Sequence, residues 1–278
     1  MKTDEDEWRY SAKDLPPAKN KLLYAYRCFM KLFMHAFFGI GSIILAVVIF
    51  PIMRIFIHPQ KRFKTAARHF VTLTFKMFTG FMRITGVMKM SVDDRETLKN
   101  LKSHIVVANH PSKLDVVVLI SLIPNADCIV RGSLAKTVLA GVIRQLYIVN
   151  SKGTEEMMEL SRESLETGTN LIVFPEGTRT PRHGTNAYKR GAAQIALKTG
   201  HDVLPIYIGG NDKYGLGKHD KIWSYNKTER YFYDIHVLDE IKISNYSSLE
   251  SGIAARHLTD DMHKVIAAQA KEIDNREV

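Results

Sequence analysis

Across residues 15–92 the chain has no aspartate or glutamate, although 12 lysines and arginines lie there. That stretch carries the entire basic excess of a protein whose formal net charge is +10, because residues 1–14 are net acidic and residues 93–278 hold 24 charges of each sign. A neutral globular part without a basic, aromatic-interleaved stripe excludes a nucleic-acid binder. Cysteine is scarce as well. Cys28 and Cys128 cannot build a disulfide framework, which fits a reducing, cytoplasmic-side compartment. The 11 histidines show no metal-ligand spacing, so neither a metal nor a resident cofactor is expected. No Gly-x-Ser-x-Gly motif is present, which argues against a serine nucleophile on a strand-to-helix elbow. The glycine-rich stretch 209–218 lacks the Walker spacing and is read as a turn.

What the acid-free stretch does contain is hydrocarbon. Residues 32–53 carry no formal charge and, as a helix, would span roughly 33 Å, about the thickness of a bilayer core. Phe63, Ala66, Ala67, Phe70, Val71, Phe75, Phe78 and Phe81 then recur at helical spacing among lysines and arginines. This composition predicts an interfacial helix with aromatics towards lipid and cations towards headgroups, the bland alternative being an amphipathic helix packed on the domain. Basic residues flank the apolar run on both sides, so two helices returning to one face satisfy the positive-inside rule better than a single crossing. The expectation is a hairpin anchor on the cytoplasmic face of the inner membrane, with membrane lipids as partners. The division is a polar tail at 1–20, an anchoring segment at 21–90 and a globular domain at 91–278.

In the globular part, short apolar runs at 87–92, 105–108, 127–130, 147–149, 171–174 and 203–208 read as strands. Stretches 116–122, 154–166 and 187–198 read as helices between them; 231–243 reads as one or two further strands and 249–273 as a closing helix. Such alternation predicts an α/β fold with a mainly parallel central sheet flanked by helices. Ligands in such sheets gather at the carboxyl ends of the strands.

Two of those ends carry chemistry. After the strand at 105–108, Pro111 suits the first turn of a helix and biases His110 towards extended backbone, so the chain reverses just past the imidazole. The reversal can bring Asp115 back beside His110 as the orienting group of a general base, with a surface histidine beside a helix-start carboxylate as the bland alternative. After the strand at 171–174 come Pro175, Glu176, Gly177, Thr178 and Arg179. A guanidinium at the same edge suits bidentate binding of a phosphate, with Glu176 orienting it or gripping a hydroxyl.

Asn109-His110-x4-Asp115, followed by Phe174-Pro175-Glu176-Gly177-Thr178-Arg179, by Lys189-Arg190-Gly191-Ala192 and by Val203-Leu204-Pro205, resembles the glycerolipid acyltransferase family of lysophospholipid or 1-acylglycerol-3-phosphate acyltransferases. The resemblance implies acyl transfer from a thioester, acyl-CoA or acyl carrier protein as co-substrate, to a lysophospholipid hydroxyl. It implies His110 and Asp115 as the catalytic pair, and Glu176, Gly177, Thr178, Arg179 and Lys189 around the acceptor phosphate. Asn109, Ser112, Lys113 and Pro205 are expected to line the donor side or the pocket, and backbone amides after Pro111 are candidate oxyanion donors. One block departs: where the family commonly shows Ile-Asp-Arg, this chain has Val149-Asn150-Ser151. That keeps open a different acceptor, such as an amino lipid or a polyene-type lipid, and a non-catalytic lipid-binding scaffold is the further alternative.

Overall fold

The computed structural model describes residues 4–137, 139–150 and 153–274. After a short helix α1 (Asp4–Arg9), the apolar run folds as α2 (Lys21–Ile44), a π-helical turn (Leu45–Ile49) and α3 (Phe50–Phe56), one helical rod with Pro51 inside it. The wider turn falls where Pro51 has no N–H to offer the carbonyl one turn back, so the rod continues rather than breaks. The rod, Lys21–Phe56, is long and apolar enough to cross a membrane, and only 17% of its most apolar window is buried. α4 (Gln60–Ile84) returns along it.

The remainder alternates as predicted: β1 (Met88–Val92), α5 (Arg95–Asn100), β2 (Ile105–Ala108), α6 (Asp115–Leu122), β3 (Ala126–Val130), α7 (Ala140–Leu146), β4 (Ile148–Val149), α8 (Thr154–Glu166), β5 (Asn170–Val173), α9 (Gly191–Thr199), β6 (Val203–Gly209), β7 (Tyr231–Val237) and α10 (Ser251–Asp274). The seven strands form one sheet in the order β1-β7-β6-β2-β5-β3-β4. All pairs are parallel except β6 with β7. The carboxyl ends of β6, β2, β5, β3 and β4 therefore share one edge. Central strands β2, β5 and β6 are buried along their whole length, as continuous Val/Ile/Leu runs require when both faces are covered. One face packs on α8, α9 and α10, and the other on α4, α6, α7 and the apolar rod.

Two expectations are corrected. The aromatic stripe of α4 does not face outwards: Phe63, Ala67, Val71, Phe75 and Phe78 are buried against the rod and the domain. The reason is that α4 has two apolar stripes, and the sheet-covering layer takes the one closed by Met82, leaving Leu73, Met77, Phe81 and Ile84 outside. Arg68, on the inward side, is matched by a carboxylate: it forms a bidentate pair with Asp127 at 2.7 and 3.0 Å. Of the one or two strands expected at 231–243 the stretch holds one, continued by an isolated bridge between Val203 and Ile241. Helix α9 starts at Gly191 rather than at 187, because Lys189 donates its backbone N–H to the Pro175 carbonyl at 2.9 Å and so belongs to the site loop.

Candidate functional site

His110 follows the carboxyl end of β2, and the reversal at Pro111 brings Asp115, the first residue of α6, back to it: Nδ1 lies 2.8 Å from Asp115 Oδ2. Asp115 is fully buried. The same carboxylate accepts the Ser112 N–H at 2.8 Å and the Ser112 hydroxyl on its other oxygen. Ser112 Oγ in turn meets Tyr233 OH, on β7, at 2.8 Å. With three donors arriving, the carboxylate is an acceptor at every contact, so His110 Nδ1 carries a proton and the neutral ring has its lone pair on Nε2. The ring stacks on Phe174 with centroids 4.2 Å apart, yet its side chain is 19% exposed and reachable.

The loop after β5 is stitched to this corner. His110 N–H donates to Glu176 Oε1 at 3.1 Å and to Thr180 Oγ1 at 2.8 Å, while Thr180 N–H returns a bond of 2.7 Å to the His110 carbonyl. Glu176 is buried and also accepts Asn186 Nδ2 at 2.7 Å; burial pushes its carboxyl above the usual range while the Thr180, Asn186 and His110 donors oppose that rise. This corrects one expectation: Glu176 does not orient Arg179, because its oxygens are taken by those donors. Arg179 is instead held by the carbonyls of Leu216 and Gly217, at 3.0 and 2.6 Å.

The glycine-rich stretch is indeed a turn beside the site. Its Leu216 carbonyl also accepts the Lys113 N–H at 3.2 Å. Gly215 has φ of +93°, and a Cβ there would come 1.9 Å from the Ser224 carbonyl oxygen, so only glycine fits. On the other side of this turn, the ammonium of Lys31, from α2, donates to the carbonyls of Gly215 and Ser224.

Cations converge on the rim. Burial lowers the Lys113 ammonium below its ordinary pKa, with the Arg179 charge adding to the shift. Arg179 is likewise lowered by burial, although the Asp220 and Asp115 charges oppose the shift. Arg131, just past β3, donates to the Gly177 carbonyl. The Lys189 side chain packs so close to Gly177 that a Cβ there would lie 2.8 Å from its ammonium, and Gly177 itself has φ of +62°. Thr178 lies half-buried in the same turn.

Sequence reasoning missed Arg131, whose only signal was a cation directly after an apolar strand. It also missed Thr180, whose hydroxyl accepts the His110 N–H, and Tyr233 on β7, whose hydroxyl meets Ser112. Asn109 is buried and turned inwards: its side-chain amide bonds both the N–H and the carbonyl of Ile208, at 2.7 and 3.0 Å, extending the β2–β6 ladder past the strand end. Pro205 lies inside β6, in register with Val107, below the edge rather than on it. The amides expected to serve an oxyanion are occupied: Ser112 N–H by Asp115, Lys113 N–H by Leu216 and Leu114 N–H by Ser112 Oγ. In the divergent block, Asn150 bonds the Gly132 N–H at 3.2 Å, and Ser151 and Lys152 lie outside the described residues. Among the described residues no cluster of metal-ligating side chains occurs.

Comparison with known proteins places this geometry. The chain is 28% identical over 164 residues to a probable 1-acyl-sn-glycerol-3-phosphate acyltransferase of Mycoplasma pneumoniae, covering 55% of this chain and 58% of that protein. It is 25% identical over 206 residues to the 1-acyl-sn-glycerol-3-phosphate acyltransferase of Haemophilus influenzae, covering 69% of this chain and 81% of that one. The chain thus spans little more than half the length of the Mycoplasma relative. The crystal structure of the 1-acyl-sn-glycerophosphate acyltransferase PlsC from Thermotoga maritima superposes with a TM-score of 0.67 at 23% identity, covering 91% of this chain and 99% of that one, which establishes a shared fold. The family model described as Acyltransferase matches residues 89–209, the stretch that runs from β1 through the His110 corner and the Glu176 loop to the end of β6.

Proposed function

We propose that this protein transfers a fatty acyl group from a thioester, carried by coenzyme A or acyl carrier protein, to the free hydroxyl of a lysophospholipid. The acceptor that fits best is 1-acylglycerol-3-phosphate, giving phosphatidic acid. The observation that carries the reading is the pairing of His110 with a buried Asp115 at the same sheet edge as Lys113, Arg131 and Arg179.

A hydroxyl is a poor nucleophile at neutral pH. Nε2 of His110 accepts its proton as the new C–O bond forms, and Asp115 stabilises the resulting imidazolium, assistance of about 10² to 10⁴-fold in rate. The thioester C–S bond breaks as the tetrahedral intermediate collapses, and the imidazolium returns its proton to the departing thiolate. Arg179 presents its guanidinium as a planar fork to phosphate, with the neighbouring cations adding charge. Glu176 and Thr180 act at one remove, fixing the backbone that carries His110.

The apolar rod supports attachment to a membrane, where lysolipid acceptors reside, with the domain on the cytoplasmic face. The reading is tested with His110→Ala in neutral detergent, following thioester cleavage and the lipid product by mass spectrometry over a pool of lysolipids. Loss of transfer with retained vesicle binding is expected. Turnover near that of the unmodified protein removes the assignment.

A further inference from the structure

At the edge of the sheet opposite His110, where β3 begins, the first turns of α4 and the end of α7 enclose a cavity of about 350 Å³. Its wall carries Arg54, Lys61, Lys64, Arg68 and Arg144 against the carboxylates Asp127 and Glu163. Arg68 and Asp127 neutralise each other in their bidentate pair, with Thr169 and Ser164 completing the hydrogen bonds. Four cations then face one carboxylate.

Two polar atoms on this wall, Arg54 Nη1 and Tyr147 OH, are buried without a hydrogen-bond partner. Both are donors, and buried donors in folded proteins are almost always matched by an acceptor. Burial raises the Tyr147 phenol far above its ordinary pKa, so it keeps its proton. Arg54 is fixed in place by Gln60 Oε1 at 2.9 Å and by the Phe63 ring, 5.3 Å from its guanidinium carbon. The site thus presents two unpartnered donors within a net positive wall, a combination suited to an acceptor-rich anion.

Its surroundings decide what carries that anion. Arg54 belongs to the last turns of the apolar rod, and its neighbours Ile52, Ile55 and Phe56 are 49%, 68% and 80% exposed. A soluble phosphate would meet a wall of hydrocarbon beside the cations, whereas an amphiphile satisfies both. We infer that this cavity is a binding site for the headgroup of an anionic phospholipid, whose phosphate accepts from Arg54, Tyr147 and Lys64 while its chains lie along Ile52, Ile55 and Phe56. The bound lipid is a structural component at the tip of the helical pair and not the acceptor, because the cavity and His110 lie at opposite ends of the strands. The inference rests on the membrane attachment of the rod and not on the chemistry assigned to His110.

The test uses the full chain in neutral detergent. Melting is followed with short-chain phosphatidylglycerol, short-chain phosphatidylcholine or inorganic phosphate, and partition is measured on phosphatidylcholine vesicles with and without phosphatidylglycerol. Two cavity variants, Arg54→Gln with Lys64→Gln and Lys61→Gln with Lys64→Gln, are compared with Arg62→Gln with Lys76→Gln, which removes the same charge from α4 outside the cavity. Lys61 and Arg62 are exposed, so the second cavity variant and the control each change at most one partly buried residue. Phosphatidylglycerol alone should raise the melting temperature, and both cavity variants should lose that rise. They should also lose about ten-fold more of the preference for anionic vesicles than the control. Equal losses in cavity and control variants would reduce the effect to diffuse attraction and overturn the site. A rise with inorganic phosphate as large as that with the lipid would overturn the lipid as its occupant.

Discussion

Replacing Asp115 by asparagine separates the orienting role of this carboxylate from any role in binding. In the native corner Oδ2 accepts from both His110 Nδ1 and the Ser112 N–H, and Oδ1 accepts from the Ser112 hydroxyl. The new amide has one orientation that keeps most of this: oxygen towards His110 and Ser112 N–H, nitrogen towards Ser112 Oγ. Ser112 can accept there by rotating its hydroxyl towards Tyr233, whose own O–H is also free to turn. Packing and ring position therefore survive, and the stability cost should stay near about 1 kcal/mol, that of an ordinary hydrogen bond. What cannot survive is the negative charge beside the imidazolium. The expected loss is about 10² to 10⁴ in kcat, or roughly 2.7 to 5.5 kcal/mol of transition-state stabilisation. KM for the acceptor should change less than kcat, because Asp115 is fully buried, its side chain hydrogen-bonds to His110 and Ser112, and it reaches Arg179 through its charge alone. The assay is steady-state thioester cleavage with the lysolipid varied, alongside a melting curve. A folded variant that retains kcat within ten-fold refutes the orienting role, and a change confined to KM transfers Asp115 to binding.

Other perturbations probe the rim and the frame. Arg179→Lys cannot bridge the Leu216 and Gly217 carbonyls and still present a planar fork, so KM for a phosphate-bearing acceptor should rise about ten-fold with kcat largely kept; an unchanged KM would detach Arg179 from the acceptor. Arg68→Ala leaves Asp127 buried beneath α4 without its partner and should cost about 3 to 5 kcal/mol in urea unfolding, most of it recovered when Asp127→Leu is added; no recovery would mean that lost packing, not the stranded charge, sets the cost. Asp202 accepts the Ile243 N–H at 2.8 Å and the Lys242 ammonium at 3.0 Å; partial burial pushes its carboxyl up, but these donors hold it below the usual range. A depressed folded-state pKa adds stability above the unfolded value, about 3.9, and loses it as pH falls through the folded value. Asp202→Asn should therefore lower the melting temperature at pH 7 and much less near pH 3, and an equal deficit at both would refute the linkage.

The parts of this molecule readable in the sequence are those fixed by short-range pattern. The β-branched run before Asn109 could only be a buried strand, and Pro111 forced the turn that returns Asp115 to His110. Contacts made across loops left no such trace. Tyr233 reaches Ser112 from a strand 121 residues further on, and Asn186 reaches Glu176 because the loop from Pro175 closes back on itself through the Lys189 N–H instead of starting a helix. The aromatic periodicity of α4 was visible, but periodicity names a face without naming what covers it. Lys31 shows the converse: a cation at the border of the apolar run is fully buried, because the Gly215–Ser224 turn offers it two carbonyls.

How the helical pair lies on the sheet bears on how a lipid could reach His110. Near its start the rod is tied to the His110 edge through Lys31, and Tyr26 OH bonds the Thr85 carbonyl at 2.9 Å, so the far end of α4 lies at that edge too. The tip between α3 and α4, with Arg54 and Gln60, stands at the opposite edge beside Asp127. The pair therefore runs along the strands for the full depth of the domain. A rod of 36 residues is about 54 Å long, well beyond the roughly 30 Å of a hydrocarbon core. Standing upright in a bilayer, it would draw the α4-covered flank of the domain in with it, including the Arg68–Asp127 pair and the basic turn at Lys61. Lying in the plane, it sinks only its outer side, where Phe29, Phe37, Ile40, Val47 and Ile55 are exposed, each CH₂ removed from water contributing about 0.8 kcal/mol. On the membrane attachment proposed above, that orientation sets the edge bearing His110 and its cations level with the headgroups. A lysolipid could then present its phosphate and free hydroxyl there while its chain stays in the bilayer.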